Sequence, residues 1–333
     1  MAMSKATQER RFAQLATATL VYTLLVIVWG AFVRVSDSGD GCGTHWPTCQ
    51  GAVLPPSPTV KTLVELGHRV TSGPILGLMV IGQTIWSFFV FEKGHLARKA
   101  TIASLVFTVT EALVGAALVL LRKVARDQST SRGYWMSGHL VNTLLLVATL
   151  SLVVWAARRP LATRLTFFKN GRAGRPARLA LLAMGLVVLT SVTGAIAALG
   201  DTLFPAASFA EGVKADFDGS AHIFLQLRAL HPFAAVVTAI LLVAVATMLS
   251  QRKVVTDEAT RTAARRLGLA VFAQMGIGIV NLALAAPMVL QLVHLLFADL
   301  LWIALVYTAA SAASAPSVEA ETPATAPAAP SAA

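Results

Sequence analysis

The sequence predicts an all-α integral membrane protein, with eight transmembrane helices in two tandem four-helix bundles. Three observations carry that expectation. Apolar residues make up 56% of the 333-residue chain and charged residues only 13%, about half the charge of an average soluble domain. Eight stretches are long and apolar enough to span a bilayer, and a spacing of glycine and histidine recurs in the two halves. A mean hydropathy of +0.70 excludes disorder of the whole chain. Two cysteines exclude a disulfide-stapled miniprotein or a multi-cysteine metal protein. The net charge of +11 lies between apolar runs, as in the cytoplasmic loops of a multi-span protein. The expected surroundings are therefore the lipid bilayer of the cell membrane, with no nucleic-acid partner.

A bilayer core about 30 Å thick needs roughly 20 apolar residues as helix. The first span, near 14–34, follows Arg10 and Arg11. It is too long for a signal-peptide core, and no small-residue cleavage site closes it. The next three lie near 64–91, 99–121 and 133–157, the fifth and sixth near 177–199 and 222–249. The last two, 266–286 and 288–312, are divided by Pro287, which ends one helix and leaves room for a tight turn. Residues 1–157 then form an N-terminal half, 158–176 a cytoplasmic linker and 177–312 a C-terminal half. The tail 313–333, built from Ala, Pro, Ser and Thr, is expected to be disordered.

With the N-terminus inside, the cytoplasmic segments hold 18 lysines and arginines and the outer loops 6. That bias places both termini in the cytoplasm. The exception is the outer loop with Arg122, Lys123, Arg126 and Arg132. Its basic residues either are tolerated by a weak local signal or meet something anionic.

Gly30 is followed 38 residues later by His68, and Gly194 is followed 37 residues later by His231. The next histidines come at His139 and His294. Internal repeats in membrane proteins commonly carry the site. All four histidines fall five to nine residues into spans that run from outside to inside, about 8–14 Å below the outer helix ends. Ionisable groups at that depth are functional candidates. Zinc would call for closer clustering with carboxylate or cysteine. Two histidines facing across a helix bundle suit the axial positions of a heme iron, and two pairs make two sites, one per half.

The halves differ around these histidines. Glu65 lies one helical turn above His68, with Arg69 just after it; the residue matching Glu65 is Arg228. The carboxylate suits chemistry or the orientation of His68, and the guanidinium suits a heme propionate. Glu111 in the third span is a further intramembrane acid, with the neutral Gln274 at the matching place; Asp299 in the last span is another acid at membrane depth. Both cysteines, Cys42 and Cys49, lie in the outer loop after the first span, where a disulfide can form; two free thiols are the alternative.

The loop Gly41-Cys42-Gly43-Thr44-His45-Trp46-Pro47-Thr48-Cys49, with Glu65-x-x-His68-Arg69, Leu227-Arg228-x-x-His231, His139 and His294, resembles the heme A synthase family from about residue 15 to 312. The resemblance implies an oxidoreductase that takes a methyl group of heme O through hydroxymethyl to formyl, giving heme A for terminal oxidases. It implies a b-type heme cofactor (heme b) on His231 and His294, substrate heme O between His68 and His139, and Glu65 as the catalytic acid. The heme O synthase, the farnesyl-adding enzyme of the pathway, is then an expected contact. Two departures stand out. Relatives with four cysteines carry a second pair in the C-terminal half, absent here, and Glu111 stands where glutamine is expected in many relatives. The alternative is a bis-histidine diheme cytochrome passing electrons to or from quinol. The sequence names no electron acceptor.

Overall fold

The computed structural model describes residues 4–161, 163–168, 174–252, 254–255 and 257–314. Eight helices among them are long and apolar enough to cross a membrane. They are α1 (Lys5–Val35), α2 (Val60–Val70) continuing through a π-turn (Thr71–Ile75) into α3 (Leu76–Val90), α4 (Leu96–Leu120), α5 (Thr130–Ala156), α6 (Arg175–Leu203), α8 (Ile223–Arg228) with α9 (Leu230–Ser250), α10 (Glu258–Ala283) and α11 (Met288–Ser314). A short helix, α7 (Phe209–Asp216), lies between α6 and α8. Among the described residues there is no β-strand.

Several helices begin before the apolar stretch that announces them, because polar caps and charged first turns extend them past the bilayer. Ser4 Oγ accepts the Thr7 amide at the start of α1, and Asp257 accepts the Thr260 amide at 2.8 Å at the start of α10. Such side chains satisfy helix-end amides that have no partner within the helix. The last helix runs to Ser314, so the expected tail starts two residues inside a helix; its remainder lies outside the described residues, as do Lys169, Arg172 and Lys253. Ala285 and Ala286, at φ 55° and 53°, form the turn before Pro287.

The two helices that carry His68 and His231 are both interrupted. Pro74 sits inside the π-turn, and Pro232 follows the break at Ala229 between α8 and α9. Proline lacks the amide that would continue the ladder and clashes with the preceding turn. At the first break, Thr71 and Ser72 hydroxyls donate to the His68 carbonyl at 3.0 and 2.6 Å.

In the N-terminal half α1 packs on α3, α3 on α4, α4 on α5, and α5 returns to α1. The same pairings recur as α6 on α9, α9 on α10, α10 on α11, and α11 on α6. Across the middle, α5 touches α6 and α11, and α1 touches α11. The apolar core does not stop at the linker: one cluster joins Val147, Leu150 and Val153 to Leu267, Trp302 and Leu305. Indole N–H groups lock that seam, Trp302 to the Leu144 carbonyl at 2.8 Å and Trp155 to Ser311 Oγ at 3.1 Å. Leu25, Phe89, Ile240 and Leu269 point outward, the face lipid covers in a membrane protein.

Candidate functional site

The recurring glycines touch the histidines. A methyl group placed on Gly30 would come within 2.9 Å of the His68 ring, and one on Gly194 within 2.9 Å of the His231 ring. The matching spacings thus reflect a contact: each first helix of a half needs a residue without a side chain where an imidazole lies against it. Gly278 serves His294 in the same way, at 3.0 Å.

In the C-terminal half the His231 and His294 ring centroids lie 6.3 Å apart, with planes at 82°. The His231 Nδ1 lies 3.2 Å from both the Thr190 carbonyl and Thr193 Oγ1. A proton on Nδ1 given to the carbonyl leaves Nε2 as a free donor atom for a metal. Bonds of about 2.0 Å from two imidazole nitrogens to one metal, with each ring centre roughly 1.1 Å further out, give a centroid separation of about 6 Å. The observed spacing fits one metal between the rings. Among the described residues no group of three or more His, Cys, Asp or Glu could hold an ion.

In the N-terminal half His68 and His139 leave Nδ1 buried without a hydrogen bond, as does His294. The Glu111 carboxylate lies 3.3 Å from His139 Nδ1 without the alignment of a hydrogen bond, accepts Asn142 Nδ2 at 2.6 Å and accepts the Thr143 hydroxyl. At the matching place Gln274 Nε2 lies 3.4 Å from His294 Nε2. The structure thus brings Glu111 to an expected ligand, with a neutral amide doing the same in the other half.

Glu65 is buried, and its contacts run to the cysteine loop. One oxygen accepts the Cys42 amide at 2.8 Å. The other accepts Arg69 Nε and Nη2 at 3.1 and 2.5 Å. Arg69 Nη1 in turn donates to the His45 and Thr48 carbonyls at 2.6 and 2.7 Å. Cys42 and Cys49 are joined in a disulfide, with both residues at 0% exposure. The bond is therefore shielded, not open to solvent as a glycine-rich outer loop suggests.

Arg228, matched to Glu65, also holds a loop. Its guanidinium pairs with Asp201 and Asp216, each at 2.7 Å, and donates to the Gly212 carbonyl at 3.0 Å. It fastens α7 over the outer end of the C-terminal pair and leaves its donors engaged within the protein. In both halves the residue one turn above the histidine fastens the segment that follows the first helix.

Arg34, at the end of α1, escaped the sequence reading. Its Nη1 donates to the Ala198 carbonyl and to Thr202 at 2.6 and 2.5 Å, and its Nη2 to Gln291 Oε1 at 3.2 Å. Gln291 is one turn before His294, so Arg34 ties the first half to the second at the level of the site. A lone arginine at the end of an apolar run was the only signal. The misplaced basic loop finds protein partners: Lys123 meets Asp127, Arg126 meets Asp37, and Arg132 meets the Ala125 and Asp127 carbonyls. Two histidines outside the pairs are helix caps: His95 Nδ1 accepts the Ala97 amide and His222 Nδ1 the Phe224 amide. Asp299 is buried with Oδ2 unpartnered.

Residues 13–306 match the COX15-CtaA family, described as cytochrome oxidase assembly protein, and the chain belongs to that family. A Thermus thermophilus protein named protoheme IX farnesyltransferase is 39% identical over 302 residues, covering 91% of this chain and 48% of its own length. The heme A synthase of Exiguobacterium sibiricum is 30% identical over 184 residues, 54% of this chain and 55% of that protein. The heme A synthase of a second Exiguobacterium strain is 38% identical over 97 residues, 29% of this chain and 32% of that protein. The chain spans about half the length of the Thermus relative.

Proposed function

We propose that this member of the COX15-CtaA family is a heme A synthase of the cell membrane, with both termini cytoplasmic. It oxidises a methyl group of heme O through hydroxymethyl to formyl, a change that takes up the oxygen of one water and releases four electrons and four protons. The reading is carried by one observation: two histidine pairs sit in repeated surroundings, yet the carboxylate of Glu111 lies 3.3 Å from a histidine of the N-terminal pair where the C-terminal pair has the neutral amide of Gln274. Relatives named heme A synthase support it.

In this reading the N-terminal half, with His68 and His139, receives the substrate, and the C-terminal half, with His231 and His294, holds heme b. When bound there, heme b supplies a one-electron carrier. The chain's own residues do the rest. A hydrogen bond from His231 Nδ1 to the Thr190 carbonyl would orient that ring and leave Nε2 to hold the iron. Glu111, 3.3 Å from His139 Nδ1, adds negative charge beside that ring, which favours electron loss from whatever it ligates. Glu65 is the catalytic group, its carboxylate stabilising positive charge that develops as electrons leave the substrate. The shielded cysteine loop, held by Glu65 and Arg69, is fastened to the helix that carries His68. Arg228 contributes near a propionate by sharing donors now directed to Asp201 and Asp216. Electrons pass to an external acceptor. The Thermus relative named for farnesyl transfer supports a partnership with the heme O synthase.

The test is reduced-minus-oxidised absorption spectroscopy of intact purified single variants, with heme type and amount checked by pyridine hemochrome. His231→Ala and His294→Ala lose low-spin heme b, while His68→Ala keeps it. A normal low-spin b spectrum in His231→Ala overturns the assignment of the halves.

A further inference from the structure

An open cavity of about 650 Å³ lies at the membrane face where the chain begins, away from the histidine pairs. Its walls are the start of α1, the turn between α3 and α4, and the residues that follow α5. Four basic residues line it, Lys5, Arg10, Arg158 and Arg159, against the acids Glu9 and Glu92. Glu92 is already matched: Lys5 Nζ donates to it at 2.6 Å, and that hydrogen bond holds its carboxyl below the usual carboxylate range. Arg159 lies over the Trp155 ring, 4.7 Å from its centroid. The guanidinium groups of Arg10 and Arg158 have no hydrogen bond or ion pair among the described residues, and both residues are exposed.

The frame around these two guanidinium groups is fixed. His95 donates from Nε2 to the Arg159 carbonyl at 3.0 Å while its Nδ1 caps α4. Its ring stacks on Phe91 at 4.4 Å, and Phe91 meets Phe12 edge-on at 4.9 Å. The chain after α5 is thereby pinned to the turn before α4, and Arg158 is held opposite α1.

We propose that this cavity binds a phosphate-bearing anion, gripped between Arg10 and Arg158. The planar guanidinium fork matches phosphate oxygens in a two-point contact. Basic pockets between membrane helices at the interface are suited to lipid headgroups. The phosphate is carried either by a phospholipid of that leaflet or by a soluble phosphoester.

Full-length protein is equilibrated with mixed phosphatidylglycerol and phosphatidylcholine vesicles, and retained lipid is counted by native mass spectrometry, with and without glycerol 3-phosphate. Wild type retains phosphatidylglycerol in preference. Arg10→Gln and Arg158→Gln each lower that preference about five-fold, the loss expected for one basic residue near an anionic headgroup. Arg252→Gln, on another loop of the same face, leaves it unchanged. Retention unaffected by glycerol 3-phosphate identifies the lipid source; binding of glycerol 3-phosphate that displaces lipid and is lost in both variants identifies the soluble one. Circular dichroism checks that the variants are folded. Should a variant unfold, wild-type lipid preference and displacement decide alone. The proposal is overturned if wild type shows no preference for phosphatidylglycerol and no binding of glycerol 3-phosphate, if folded Arg10→Gln and Arg158→Gln keep the wild-type preference, or if Arg252→Gln loses it equally.

Discussion

The backbone amide of Cys42 donates to the carboxylate of Glu65 at 2.8 Å, so the disulfide loop is fastened to the helix that carries His68. Arg69 completes the clasp by bonding both Glu65 and the loop's own carbonyls. A residue expected to act chemically thus has a structural duty as well, and the two can be separated.

Arg69→Gln loosens the clasp but keeps the Glu65 carboxyl group, whereas Glu65→Gln removes it. Breaking a buried pair from either side costs about 3 kcal/mol, so thermal stability falls in both variants. Heme A yield from cells supplying heme O is expected to collapse only in Glu65→Gln. Equal loss in both variants would make Glu65 a residue that holds the loop and no more.

The burial of both cysteines makes a second expectation. In freshly prepared membranes without reductant, neither thiol is alkylated, and a soluble thiol opens the bond slowly. Glu65→Ala frees the loop and speeds that opening severalfold. Rapid alkylation in untreated wild type would contradict the shielded bond.

Glycine substitutions probe the site without touching a ligand. Gly194→Ala puts a methyl group 2.9 Å from the His231 ring and is expected to shift or weaken the low-spin b spectrum. Gly185→Ala, on the same helix with no atom within 4 Å, leaves the spectrum alone and adds up to about 1 kcal/mol of helix stability. Identical spectra in the two variants would detach His231 from the heme.

Asp37 joins the start of α2 to the loop between α4 and α5, through Lys61 at 2.8 Å and Arg126 at 3.3 Å. The hydrogen bond from Lys61, with the Lys61 and Arg126 charges, holds the Asp37 carboxyl below its ordinary value. Its stabilising contribution is therefore present above about pH 4 and lost as pH falls through the lower folded-state value. Limited proteolysis of the 122–132 loop should be constant from neutral to mildly acidic pH and rise only below about pH 4. Asp37→Asn should show the raised rate at neutral pH.

The eight spans and the four histidines were legible because a bilayer demands long apolar runs and makes each buried imidazole conspicuous. The glycine–histidine spacing was readable as a repeat, although its cause, ring against backbone, needed coordinates. Helix starts were misjudged at α1 and α10, since hydropathy marks the bilayer and capping marks the helix. The partners of Glu65, Arg228 and Arg34 were not legible. Each is a long side chain reaching across elements, and the backbone carbonyls they bind leave no trace in residue type.

The most direct measurement is chromatography of hemes extracted from a host that makes heme O, makes no heme A, and expresses this chain. The account predicts that heme A, with the hydroxymethyl intermediate, appears alongside heme B bound to the purified protein. Heme O left unchanged, in the presence of correctly inserted protein carrying its b heme, would contradict the proposed reaction and leave an electron-carrying cytochrome.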